Sequence, residues 1–437
     1  MDIRTPGPPR RDLVRGDLVS SGRRLDDAVV LVEGERIVWV GPAASWPGPA
    51  DELPPAAPGR LILPGLVDVH CHGGAGHGFP EADAAGMRAA CDHHLRHGTT
   101  TLLGSLVSAP ADDLERRIGA LLPLVGAGHL AGIHLEGPFL STARCGAQDP
   151  RSIVPGDPDL LRRLIDAGQG AVRSMTLAPE TPRLPELLDV LAAAGVTPSF
   201  GHTDASAADA SAAISAVGGR PLGATHLFNG MPPLHSRAPG PVGACLAAAA
   251  RGAMVVELIG DGVHVADETV AMVFELVGAE RIALITDAMA AAGMPDGRYP
   301  LGPMTVDVVG GVARLASDPG TTGAIAGGTA RLLDVLRRAV RRAGVALPDA
   351  VTAATATPAR LLGLDSEVGD VVPGRRADLL ITDADLLPRA VLRAGHWIDP
   401  PDTLPADTLP ADTLPADTLP ADTLPADARS ATAREAH

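Results

Sequence analysis

LPGLVDVHCHGG, residues Leu63 to Gly74, is the stretch from which the rest of the chain can be read. Pro64-Gly65 punctuates the backbone, and Leu66 to His72 then alternates. Val67, Val69 and Cys71 face one way, while Asp68, His70 and His72 face the other. Two imidazoles thus project from one side of a short strand, with an acid two residues before them and a run of glycines after. That arrangement suits a metal better than a core, because neutral imidazole is the commonest ligand for a borderline divalent ion.

Downstream of this strand, apolar runs of strand length alternate with amphipathic stretches of helix length. The expected strands are Leu66–His72, Thr99–Gly104, Leu130–Leu135, Val172–Leu177, Thr197–His202, Leu222–His226, Met254–Ile259 and Ile282–Thr286. Helices are expected at Glu81–His97, Ala111–Leu122, Pro158–Ala167, Pro185–Ala194, Ala205–Val217 and Asp267–Val277, then at Thr329–Ala343 and Pro348–Leu362. Eight strands with helical connections predict an α/β fold, a parallel (β/α)8 TIM barrel. His93, His94 and His97, on the first helix, are expected on a solvated face, since barrel chemistry comes from the loops after the strands.

The flanks read differently. Leu13–Ser20, Ala28–Glu33 and Arg36–Gly41 are strand-like, and Gly369–Asp383 with Ala390–Ile398 supplies a second half for the same small sheet. The expected division is a discontinuous β-sandwich domain from residues 1–63 and 366–398 around a barrel spanning residues 64–365. Residues 399–437 carry five unvaried DTLPA repeats and a polar end. Proline every fifth residue prevents a propagating helix, and leucine alone offers too little to bury, so this tail is expected to be disordered.

Net charge is −16, which disfavours nucleic acid as a partner. From Asp399 onward eight acids face two arginines, a net of −6, leaving −10 for the remainder. No apolar run is long enough for a membrane span, and Met1–Arg11 has no secretory pattern, so a cytoplasmic location is expected. Cys71, Cys91, Cys145 and Cys245 show no CxxC spacing and read as reduced thiols. Cys145 lies in an aperiodic segment after the third strand, where a loop over the site is expected. The chain contains no lysine, which excludes a Walker P-loop, a Schiff-base lysine and any metal pair bridged by carbamylated lysine.

Polar residues interrupt the apolar pattern at strand ends: His72, Glu136 in HLEGPF, His202 in GHT, His226 in THLFNGM, His264 in DGVH and Asp287 in ITDA. In a barrel those ends converge on one face. Imidazoles and carboxylates without thiolate suit Zn foremost, with Fe, Mn or Co as alternatives, in an open catalytic site. Asp287, after the last strand, is the candidate base for an activated water.

These motifs, with the late VGDVVPGRRADLL, resemble the amidohydrolase superfamily, and within it the enzymes that deacetylate N-acetylglucosamine 6-phosphate; the similarity runs from about Val29 to Ile398. The resemblance implies hydrolysis of the acetamide to glucosamine 6-phosphate and acetate, in amino-sugar catabolism. It implies that Glu136, His202 and His226 bind the principal divalent ion and that Asp287 is the acid/base. His70 and His72 then allow a second ion, one or two per chain, with Glu136 the one bridging candidate. By the same resemblance, Asn229 and Gly230 meet the substrate phosphate through backbone amides, Arg237 meets it by its side chain, and His264 lies against the sugar. Ala147 and Gln148, in RCGAQDP, would line the acetyl end, Gln148 standing where many relatives carry histidine. A homodimer is implied too, in which Arg237 reaches the neighbouring site. Other readings on the same fold are N-acetylgalactosamine 6-phosphate or an N-acyl amino acid as substrate. A sugar-phosphate-binding protein without turnover is the alternative of another class, against which the retained Asp287 counts.

Overall fold

The computed structural model describes residues 10–317 and 321–398; the DTLPA repeats, and the expectation of disorder for them, lie outside. Runs rich in Val, Ile, Leu and Thr form eight parallel strands in sequential order. They are β1 (Leu66–Asp68), β2 (Thr99–Val107), β3 (Gly132–Glu136), β4 (Val172–Leu177), β5 (Thr197–Phe200), β6 (Gly223–Ala224), β7 (Val255–Leu258) and β8 (Ile282–Leu284). All nine residues of β2 are buried, as a parallel strand covered on both faces requires.

The seam between β8 and β1 closes just beyond the strands themselves. Asp287 N–H donates to His70 O at 3.0 Å, His72 N–H donates to Ala288 O at 2.7 Å, and Cys71 and Ala288 form a parallel bridge. Asp68 fastens the seam from inside, accepting from Thr286 Oγ1 at 2.6 Å. Residues more than two hundred positions apart are thereby laid side by side, which is what brings Asp287 to His70 and His72.

The helices follow the expected periodicity, with local chemistry setting their ends. Pro158–Ala167 begins where the Asp157 side chain accepts from the amides of Asp159 and Leu160. The helix expected over Pro348–Leu362 is broken at Thr355 (φ −140°, ψ −80°) into Leu347–Ala354 and Ala356–Leu361. Pro358 explains the break: its ring would clash with the carbonyl of Ala354, whereas in the first turn of a new helix its missing N–H costs nothing. Elements that were not anticipated include the alanine-rich helix Gly240–Ala250 and a three-stranded antiparallel sheet, Gly297–Leu301, Met304–Val309 and Val312–Leu315. That sheet packs through Leu301, Val306 and Val308 on Met289 to Ala291, directly after Asp287. Among the described residues no helix is long and apolar enough to cross a membrane.

The two flanks meet in one seven-stranded sheet. Leu61–Pro64 is its hinge strand, parallel to Arg11–Ser20, antiparallel to Leu379–Thr382, and running through Gly65 straight into β1. Only Leu379–Thr382 of the expected Gly369–Asp383 is strand, and Ala390–Ile398 becomes two, Pro388–Arg393 and His396–Ile398. The turn between those two needs positive φ at Ala394 (47°) and Gly395 (73°).

The helix Ala84–Arg96 corrects one expectation. Its histidines do not form a solvated face: His94 is wholly buried and His97 nearly so. His94 Nε2 lies 2.9 Å from Gly73 O and 3.3 Å from Cys71 Sγ, and His97 Nδ1 lies 2.7 Å from His93 O. The helix thus packs its imidazoles against the turn that follows His72, and burial pushes both His94 and His97 down to about 4. A histidine whose folded value lies below its unfolded one binds fewer protons when folded, so acidification favours the unfolded chain by about 1.4 kcal/mol per pH unit at full titration. The stability deficit of His94→Gln against wild type, read by urea denaturation, should therefore narrow as pH falls from 6.5 toward 4. A gap constant across that window would show that His94 is not held neutral.

Candidate active site

Each candidate ligand sits at or just past a strand end, where the chain must turn and still aim a side chain inward. Three of these turns use left-handed backbone at residues other than glycine: His202 (φ 47°), His226 (φ 28°) and Asp287 (φ 48°). Such conformations cost about 1 to 3 kcal/mol each and persist where surrounding structure enforces them, typically at functional sites. Two glycines give His202 its room. A Cβ at Gly146 would stand 3.2 Å from the imidazole, and one at Gly230 (φ +62°) 3.0 Å from it.

The ligand atoms converge in two buried clusters, Glu136/His202/His226 and His70/His72/Asp287. In the first, Glu136 Oε1 is 2.9 Å from His202 Nε2 and 3.0 Å from His226 Nε2, and the two ring nitrogens are 3.1 Å apart. In the second, His70 Nε2 and His72 Nε2 are 3.1 Å apart, with Asp287 Oδ1 at 3.4 and 3.3 Å from them. The Glu136 carboxylate lies between the clusters, with Oε2 3.2 Å from His72 Nε2 and Oε1 3.6 Å from His70 Nε2. It therefore faces both clusters, at the residue for which the resemblance implied a bridging role.

Three of the four imidazoles have Nδ1 engaged by an acceptor: His202 by Arg144 O at 2.8 Å, His226 by Asn229 O at 3.1 Å and His70 by Glu257 Oε2 at 3.1 Å. Donation from Nδ1 fixes the tautomer and leaves the Nε2 lone pair facing inward, the usual setting of a metal-bound histidine. Lone pairs at 3.1 Å from one another and beside two carboxylates require positive charge among them. Burial alone would keep these imidazoles neutral, yet Asp287 and Glu136 hold His70 well above the ordinary histidine range and lift His72 to about 9. Reciprocally, burial would raise Glu136, but His202 and His70 keep it well below the usual carboxylate range. The donor set fits a divalent-metal-binding site, in which the ion supplies the charge that protons otherwise must.

Comparison with known proteins agrees with this geometry. Residues 61–406 match the model of the amidohydrolase family. The chain belongs to that family. It is 33% identical to the N-acetylglucosamine-6-phosphate deacetylase of Bacillus subtilis (strain 168), over 74% of this chain and 81% of that one. It is 35% identical to the N-acetylgalactosamine-6-phosphate deacetylase of Escherichia coli O157:H7, over 75% of this chain and 85% of that one. Among solved structures, it superposes on a variant of N-acetyl-D-glucosamine-6-phosphate deacetylase from Mycobacterium smegmatis in complex with N-acetyl-D-glucosamine-6-phosphate. The TM-score is 0.81 at 41% identity, covering 89% of this chain and 99% of that one.

Around the clusters of this amidohydrolase lie the remaining candidates. His264 Nδ1 lies 2.8 Å from Asp261 Oδ2, and Asp261 Oδ1 also accepts from the amides of Val263 and His264, so the loop after β7 is pinned. Burial would lower His264, but the Asp261 carboxylate holds it above the usual histidine value. Asn229 N–H donates to His226 O at 2.9 Å, so of the expected amide pair it is Gly230 whose N–H has no acceptor among the described residues. Arg237 is exposed, its guanidinium without a carboxylate partner among the described residues. Ala147 packs against the cluster of Val107 and Met289, and Cys145 is partly exposed on the loop beside His202. Gln148, expected at the acetyl end, is buried with its amide on Glu136 Oε2 at 2.6 Å.

Several supporting residues escaped the sequence reading. Glu257 accepts from His226 N–H at 3.2 Å as well as facing His70, and its signal was a lone acid inside the apolar run of β7. His134 packs its ring 4.4 Å from that of His70, between Ser105 Oγ at 3.0 Å and Thr176 Oγ1 at 2.8 Å. Asp261 had no signal beyond its place at a strand end.

Proposed function

We propose that this chain hydrolyses the acetamide of N-acetyl-D-glucosamine 6-phosphate to D-glucosamine 6-phosphate and acetate. The observation that carries the reading is the shared Glu136 between two buried ligand clusters, with Asp287 beside them, in an amidohydrolase 41% identical to a solved deacetylase. Glu136, His202 and His226 would hold the principal ion and His70, His72 and Asp287 a second, Zn being the best match to imidazole and carboxylate donors. A divalent ion bound there polarises a carbonyl and acidifies water. The chain's own groups do the rest. Asp287, kept ionised by His70 and His72 against burial, accepts the proton of the attacking water and returns it to the leaving amine. His264, fixed by Asp261, offers Nε2 to the sugar, and Gly230 N–H with Arg237 meets the phosphate.

Residues 64–365 then carry the chemistry and the seven-stranded sheet is scaffold. Four unpaired cysteines accord with a cytoplasmic location. Exposed Arg237, in a segment where Leu234 is 53% exposed, accords with a homodimer in which this arginine serves the neighbouring site. The relative acting on N-acetylgalactosamine 6-phosphate supports a second reading, in which the epimer is the substrate. Acetate release by Zn-loaded protein from both phosphorylated sugars and from unphosphorylated N-acetylglucosamine tests the reading; no release from either phosphorylated sugar refutes it. Metal analysis should find two ions in active wild type and one after His70→Ala/His72→Ala. One ion in both would remove the binuclear site.

A further inference from the structure

The loop of residues 141–149, between β3 and Pro158, touches the Glu136/His202/His226 cluster at several points. Ser141 N–H donates to His202 O at 2.9 Å, Arg144 O faces His202 Nδ1 at 2.8 Å, and Gly146 packs on the same ring. Gln148 adds a contact to a second ligand. Its Oε1 accepts from Ser108 N–H at 2.7 Å. A backbone N–H can only donate, so the amide has one orientation: its NH2 group faces Glu136 and donates to Oε2 at 2.6 Å. Gln148 and Glu136 are both buried, so this hydrogen bond to an anion is shielded from water.

We infer that Gln148 is a positioning residue for the metal site: its amide fixes the rotation of the Glu136 carboxylate, so that Oε1 meets the His202/His226 pair and Oε2 turns toward His72. Without that amide Oε2 keeps only the longer approach to His72, at 3.2 Å, and the rotation of the carboxylate is held less firmly before the ion binds. The inference rests on the metal reading of this cluster. It also departs from the role that the resemblance implied for Gln148, a contact to the acetyl carbonyl.

The two roles separate in one set of measurements on the full chain: Zn2+ affinity of the metal-free protein by chelator competition without substrate, its melting temperature, and KM with saturating metal. Loss of an outer partner of a metal ligand typically weakens metal binding about 10- to 100-fold. Gln148→Leu should show a loss of that order with KM at saturating metal little changed, and a metal-free melting temperature lowered only by the loss of the acceptor for Ser108 N–H. Gln148→His, which restores an N–H donor at comparable reach, should recover most of the affinity. If the leucine variant does not fold, Gln148→Met serves the same test. Unchanged Zn2+ affinity in the leucine variant, with a raised KM or a lowered melting temperature, overturns the inference and leaves the metal reading standing. Equal losses in the leucine and histidine variants overturn it too, and wild type that binds no Zn2+ removes both readings together.

Discussion

Asp287→Asn is expected to reduce turnover by about a hundred- to ten-thousand-fold, the usual contribution of a general acid/base, while leaving the sugar phosphate bound. Asp287 Oδ1 is 3.3 Å from His72 Nε2 and 3.4 Å from His70 Nε2, at the seam where β8 meets β1. Burial opposes its ionisation, but His70 and His72 bring it down to about 2, so it is the ionised form that receives a proton at neutral pH. The neighbouring acid cannot substitute. Burial pushes Asp68 up to about 7, but its oxygens are engaged by Thr286 Oγ1 and by the His70 and Thr286 amides inside the seam. An amide at position 287 keeps the shape and the backbone bond to His70 O and loses the proton acceptor. Single-turnover measurements with metal-loaded variant check this; retention of more than about a tenth of wild-type turnover, well outside the usual range, would place the base elsewhere.

Arg237→Ala should lower kcat/KM for the phosphorylated sugar by roughly thirtyfold or more, since removing one member of a buried charge pair costs about 2 to 5 kcal/mol. Activity on the unphosphorylated sugar should change little. With no lysine in the chain, arginine is the side chain that can present two parallel donors to a phosphate. Within one chain Arg237 is exposed, its backbone N–H donates to His235 Nδ1 at 3.2 Å, and its guanidinium has no partner among the described residues. Its guanidinium is therefore available to a second subunit. Mixing Asp287→Asn chains with Arg237→Ala chains tests that placement, because a heterodimer would own one site with both groups intact. Recovery of activity on mixing is the expected result; heterodimers without recovery would place the arginine in its own chain's site, and equal losses on both sugars would make it structural.

The barrel was legible because its signals are local. Periods of two and of 3.6 residues are set by backbone geometry within each segment, and proline, glycine and capping residues mark the ends. Pro158–Ala167 and Asp267–Val277 span the residues that periodicity places, the first opened by the Asp157 cap. The three-stranded sheet after Asp287 carries a local signal too, for Thr305 to Leu315 alternates around Gly310-Gly311. The helix Gly240–Ala250 is different: alanine and glycine on every face leave almost no amphipathic pattern to read.

By itself the sequence determined the eight strands, the sharing of one sheet by the two flanks, and the set of imidazoles and carboxylates at the strand ends. Each of those follows from residue type and spacing. Tertiary structure alone decided which groups face which. It set Glu136 between the two clusters, turned the Gln148 amide onto it, gave His70 its acceptor in Glu257, and folded His94 under the turn after His72 instead of into water. The physical reason lies in the seam: partners across a barrel are fixed by its closure, and the bonds from Asp287 to His70 and from His72 to Ala288 join segments more than two hundred residues apart, a distance over which no local period carries information.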